Sequence, residues 1–146
     1  MKRRHFVSLL STALVAMAVL PKLAMAWPKA FSETTTKGVI AQLFPGLKTA
    51  SSDLVTLKAP AIAENGAVVP VSVSTELADV TNISILVNEN PNPLAASFDM
   101  TPASIPEVST RLKMGKTTMV TVLVAAGGKL YSVEQEVKVT IGGCGG

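Results

Sequence analysis

After Asp53 apolar and polar residues alternate with a period of two over most of the chain. Val71 and Val73 alternate with Ser72 and Ser74, and Ile83, Ile85 and Val87 alternate with Ser84, Leu86 and Asn88. Leu94, Ala96, Phe98 and Met100 form a third set, and Val108 and Leu112 share a face near Arg111 and Lys113. Met119–Val124 is mostly apolar, as in a strand covered on both faces. The last set is the clearest. Tyr131, Val133, Gln135, Val137, Val139 and Ile141 alternate with Ser132, Glu134, Glu136, Lys138 and Thr140, which puts apolar side chains inward and charges outward. Asn65-Gly66 and Gly127-Gly128 are hairpin signals. Asn90-Pro91-Asn92-Pro93 forbids a continuous strand and reads as a rigid loop, and Met114-Gly115-Lys116 reads as a turn. About seven short strands at roughly 8–12-residue spacing predict an all-β, immunoglobulin-like antiparallel sandwich over residues 27–141. The disulfide and core tryptophan of antibody domains are missing, so the expectation is of architecture only.

Before Asp53 the period is helical. Ser32 is a candidate N-cap, with Glu33 in the first turn where the helix dipole favours an anion. Val39, Ile40, Leu43 and Phe44 then fall on one face, and Pro45-Gly46 ends the helix. A short amphipathic helix should therefore cap the domain core.

Further upstream the pattern is that of an export signal. Met1-Lys2-Arg3-Arg4 is a positive start, Phe6–Leu20 is apolar apart from Ser8, Ser11 and Thr12, and Ala24-Met25-Ala26 is a small-x-small cleavage site. The apolar stretch is short for a membrane span, which needs about 20 residues. Residues 1–26 are expected to be removed, so that the mature chain begins at Trp27 and resides in the periplasm without a membrane anchor. Arg3-Arg4-His5-Phe6 resembles the core of a twin-arginine signal, with Lys2 in place of the usual polar residue.

Charge and composition change meaning once that segment is set aside. The whole chain carries a formal +3, but Lys2, Arg3, Arg4 and Lys22 supply more than this excess. Without those four cations +3 becomes −1. Nucleic-acid binding through a basic patch loses its support. His5 is the only histidine and leaves with the signal. The mature chain has no imidazole for a general base or a catalytic triad, and no cysteine–histidine metal cluster. Cys144 is the only cysteine, so no internal disulfide can form.

That cysteine lies in the sequence Gly142-Gly143-Cys144-Gly145-Gly146, directly after the last strand. Glycine loses more backbone entropy on fixing than any other residue, so the tail is expected to be mobile and slender. The six residues from Ile141 could extend roughly 20 Å at about 3.3–3.6 Å each. No lysine, arginine or histidine adjoins Cys144 to lower the thiol from its reference near pH ~8.5. Such a thiol is poorly equipped as a self-sufficient nucleophile. It is well equipped as a handle that other proteins activate, which describes a covalent carrier on a narrow arm.

At this point the chain resembles the SoxY family, the sulfur-substrate carriers of periplasmic thiosulfate oxidation. The resemblance rests on the terminal Gly-Gly-Cys-Gly-Gly, on Pro60-Ala61-Ile62-Ala63-Glu64-Asn65-Gly66, on Asn90-Pro91-Asn92-Pro93-Leu94, on Thr110-Arg111-Leu112-Lys113-Met114 and on Val137-Lys138-Val139-Thr140. It implies an immunoglobulin-like sandwich in a heterodimer with SoxZ. It implies Cys144 as the attachment site, Gly142, Gly143, Gly145 and Gly146 as the arm, and no cofactor. It further implies oxidative loading by the SoxAX cytochrome, sulfate release by SoxB and, in many organisms, oxidation of the remaining sulfur by a sulfane dehydrogenase. Two other readings stand beside it. A ubiquitin-like sulfur carrier would use the carboxylate of Gly146, but it needs adenylation by ATP, which an exported protein lacks. A structural or adhesive sandwich would carry the tail incidentally.

Overall fold

The computed structural model describes residues 28–141. The expected export segment 1–26 and the arm residues Gly142, Gly143, Cys144, Gly145 and Gly146 lie outside the described residues.

Among the described residues there are nine strands: β1 (Thr49–Ser51), β2 (Val55–Lys58), β3 (Ile62–Ala63), β4 (Val69–Thr75), β5 (Val80–Val87), β6 (Leu94–Asp99), β7 (Glu107–Leu112), β8 (Thr118–Ala126) and β9 (Lys129–Val139). One sheet runs β2-β4-β7 and the other β1-β9-β8-β5-β6, with β3 also pairing β9. The two inner faces meet over Val71, Val73, Ile83, Ile85, Val122, Val124 and Val137. The all-β sandwich read from the alternation is present. Its strands exceed the expected seven because β1 and β3 are only three and two residues long. Both lie parallel along β9. Thr49, Ala50 and Ser51 are all exposed, so no apolar periodicity marks β1. These pieces form because the edge of β9 offers free N–H and C=O groups.

The large sheet is covered on its other face as well. A single 3-10 turn (Lys29–Ser32) and the helix α1 (Thr36–Leu43) place Ala30, Val39 and Phe44 against Leu86, Leu94, Leu123 and Leu130. The amphipathic face Val39–Phe44 is as expected, but the cap is not. Ser32 ends the 3-10 turn, and Thr35 is the N-cap, its hydroxyl oxygen accepting the Gly38 N–H at 3.1 Å. Glu33 accordingly precedes the helix and is not in its first turn.

This third layer explains two departures from simple alternation. Ser84 and Leu86, on the polar side of the β5 pattern, are both fully buried. Ser84 keeps its hydroxyl satisfied by donating to Asn82 Oδ1 at 2.7 Å. In β6 a bulge places Ala96 opposite Ile85 but Leu94 opposite Leu86. Leu94 thus leaves the face of Ala96 and Phe98 and joins the cluster under α1. One extra residue reverses the side on which the following side chains lie.

Gly127-Gly128 closes the β8–β9 hairpin as expected, with φ of +55° and +73°. A Cβ at either position would meet nothing within 4 Å, so any cost of substitution is local backbone strain. Gly127→Val is expected to lower the unfolding free energy by about 1–2 kcal/mol, measured by urea denaturation with an unchanged m-value. Asn65-Gly66, by contrast, is not a hairpin. It links β3 and β4, which belong to different sheets.

Candidate functional site: the root of the C-terminal arm

None of the five residues assigned to the arm lies among those described. What the structure supplies is their mount. β9 pairs with β8 only as far as Val137, opposite Thr118. Beyond that point a different set of partners holds the chain. The Val139 N–H donates to Thr117 Oγ1 at 2.9 Å on one side. On the other, the Lys138 N–H donates to the Ala61 carbonyl at 3.0 Å and the Thr140 N–H to the Ala63 carbonyl at 3.1 Å. The Thr140 hydroxyl donates to the Glu64 carbonyl at 3.0 Å. Finally the Ile141 carbonyl accepts the Gly66 N–H at 2.8 Å.

Gly66 is the keystone of this arrangement. It is buried, and its own carbonyl accepts the Met114 N–H at 2.6 Å. Met114 is fully buried in the core between the sheets, so Gly66 links the root to that core as well. Asn65 shapes the approach, its side-chain oxygen accepting the Ala67 N–H at 2.8 Å, a local turn that asparagine makes readily. The Asn90 side chain braces the same corner. Its amide donates to the Lys113 carbonyl at 2.8 Å, and its oxygen accepts the Gly115 N–H at 3.3 Å. Lys116 and Glu89 pair at 3.0 Å, both well exposed, and such a pair adds little stability.

Ile141 corrects one expectation. It continues the inward series of Val137 and Val139 in sequence, yet it is 68% exposed. β9 has passed the end of the sandwich by then, and no second sheet lies opposite. The sequence also concealed the mount. Asn65-Gly66 carried a signal that points equally to a hairpin, and Thr117 carried none, because its role depends on β8 beginning one residue later. Thr117→Val should accelerate amide hydrogen exchange at Val139 severalfold while costing no more than about 1 kcal/mol of global stability. Residue-resolved exchange measured alongside thermal unfolding checks both.

Elsewhere the described residues gather no reactive cluster. No group of three His, Cys, Asp or Glu among them is placed to hold a metal. A cleft of about 330 Å³ between Leu77, Asp79, Met100 and Pro106 includes one carboxylate. Another of about 430 Å³ between Phe31, Phe44 and Asp99 also includes one. A single exposed carboxylate without a second titratable group in the cleft does not make an acid–base pair.

Comparison with known proteins follows the same lines. The superoxide reductase (neelaredoxin) from Ignicoccus hospitalis is 18% identical, with a TM-score of 0.53 over 58% of this chain and 79% of that one, a likeness of fold alone. Comparison with curated protein sequences gives no match. The solved structure of the sulfur carrier protein SoxY from Chlorobium limicola f thiosulfatophilum is 50% identical, with a TM-score of 0.67 over 72% of this chain and 96% of that one. The family model for the sulfur oxidation protein SoxY matches residues 40–144, from α1 to the cysteine itself. A two-sheet body, a C-terminal strand clamped beside Gly66, and a family match ending on Cys144 agree, and the chain belongs to the SoxY family of sulfur oxidation proteins.

Proposed function

We propose that this protein is a non-catalytic carrier that holds sulfur intermediates covalently on Cys144 and presents them to the enzymes of periplasmic sulfur oxidation. The observation that carries the reading is the position of the lone cysteine. It stands three residues beyond Ile141, where the segment 138–141 is fixed by five hydrogen bonds, and the family match extends to it. A firm base followed by glycines suits delivery, because the base sets direction and glycine brings no side chain to obstruct a channel.

The chemistry balances with partners that supply the redox step. The Cys144 thiolate and thiosulfate form a sulfur–sulfur bond, giving protein–S–S–SO₃⁻ and releasing two electrons. A c-type cytochrome such as SoxAX accepts them. Water then cleaves the terminal sulfonate as sulfate with release of two protons, leaving a persulfide on the carrier, the step attributed to SoxB. A sulfane dehydrogenase, where present, acts on that persulfide. SoxZ is the proposed heterodimer partner. The test is intact-mass measurement of the mature protein after incubation with thiosulfate and the loading cytochrome. A mass gain mapped to Cys144 is the expected result. Sulfur found on the Gly146 carboxylate would establish the ubiquitin-like chemistry instead, and no gain would leave a structural sandwich.

Localisation rests on the N-terminal segment. If Arg3-Arg4 directs export of the folded chain, Arg3→Lys with Arg4→Lys should strand the precursor in the cytoplasm. Cell fractionation and immunoblotting read this directly. Undiminished periplasmic protein would assign export to the general secretory route.

A further inference from the structure

Resting on the carrier reading, we infer that Ile62, Val68 and Ile141 form an apolar collar at the arm's root that seats against the partner enzymes. The occupant is an enzyme whose reacting groups lie inside a narrow channel with an apolar mouth.

The argument begins with reach. Three residue steps lead from Ile141 to Cys144. Fully extended, they span about 10 Å at 3.3–3.6 Å each. Ile141 itself cannot swing far, because its carbonyl is held by buried Gly66 and the preceding residues are held on both sides. A thiol on so short a tether reaches a recessed active site only if the carrier's body is pressed against the channel mouth. The surface around Ile141 is therefore an interface during every transfer.

That surface is apolar where a solvated loop would normally be polar. Ile62, Val68 and Ile141 are 59%, 54% and 68% exposed. Ile62 pairs in register with Lys138 on β9, three residues before Ile141. Val68 lies two residues beyond Gly66, the direct hydrogen-bond partner of Ile141. The other large apolar residues exposed in the described structure, Leu54 and Ile105, lie at the opposite end of β4. The hydroxyl and N–H of Thr75 mark that end, donating to the carbonyls of Leu54 and Pro106. Single exposed apolar residues need no explanation, but a group of them at a functional point marks an interaction surface.

The collar is tested with the mature protein, in complex with its heterodimer partner, as substrate for the loading cytochrome. Val68→Glu and Ile62→Glu should each lower kcat/KM for loading at least about tenfold, because a charge is then forced into an apolar contact. Ile105→Glu, the same kind of change at the far end, should leave it unchanged. All three should melt normally and react with a small maleimide at the wild-type rate, since the thiol is untouched. Loading of the collar variants at the wild-type rate overturns the inference. So does an equal loss in Ile105→Glu, or a loss that coincides with dissociation of the heterodimer on gel filtration, which would assign the collar to the partner subunit. If the wild-type protein is not loaded at Cys144, the carrier reading fails and the collar fails with it.

Discussion

Cys144→Ser is expected to abolish sulfur loading and leave the fold intact. Cys144 is the only cysteine, so the chain offers no other thiol. A serine hydroxyl has nearly the same size but does not ionise near neutral pH, and it has no accessible oxidation to a sulfur–sulfur adduct. The loss should therefore be complete, where a positioning residue would give only a partial one. Serine nearly matches cysteine in size, so unfolding should shift by less than about 0.5 kcal/mol. Intact-mass spectra of wild type and variant after identical incubation with thiosulfate and the loading cytochrome decide the matter. Equal mass gain in both removes Cys144 from the mechanism. A second readout needs no partner enzyme. The wild-type protein should accumulate disulfide-linked homodimers in air, because no second thiol competes within the chain. Cys144→Ser should remain monomeric on a non-reducing gel.

Leu86→Ala should be among the most destabilising single changes in the body, costing about 2–5 kcal/mol. By alternation alone Leu86 belongs with Ser84 and Asn88 on the outward side of β5, where truncation would cost little. In the folded protein it is fully buried beside Leu94, Leu123 and Leu130, beneath Val39 and Phe44 of the N-terminal layer. Removing its side chain opens a cavity in the seam that holds α1 to the sheet. Urea denaturation measures the cost, and hydrogen exchange should show the amides of α1 protected less than those of β8. A loss under about 1 kcal/mol would mean that α1 contributes little to stability and that β5 behaves as a strand with a solvated face.

The limits of alternation lie at particular residues. The run Met119–Val124 announces a doubly covered strand because every position is apolar or nearly so. From Ile83 to Val87 β5 shows the same burial, but Ser84 disguises it, its buried hydroxyl donating to Asn82 Oδ1. Leu94 follows the period of Ala96 and Phe98 in sequence and is moved to the opposite face by a bulge that no local signal marks. The helix cap slips from Ser32 to Thr35 because both are acceptable caps, and only packing of the 3-10 turn selects between them.

By itself the sequence determined the two-sheet class, the amphipathic face of the helix, the glycine turn between the last two strands and the single thiol in a glycine tail. These are properties of residue type and spacing, and neighbours along the chain suffice to impose them. Only the tertiary structure decided the third layer, the parallel additions to β9 and the clamp at the arm's root. Each depends on hydrogen-bonding groups or apolar faces that meet across long stretches of chain. Gly66 shows the difference: locally it reads as half of a turn, and only the approach of Ile141 and Met114 from distant parts of the chain makes it the residue that anchors the end of the described chain.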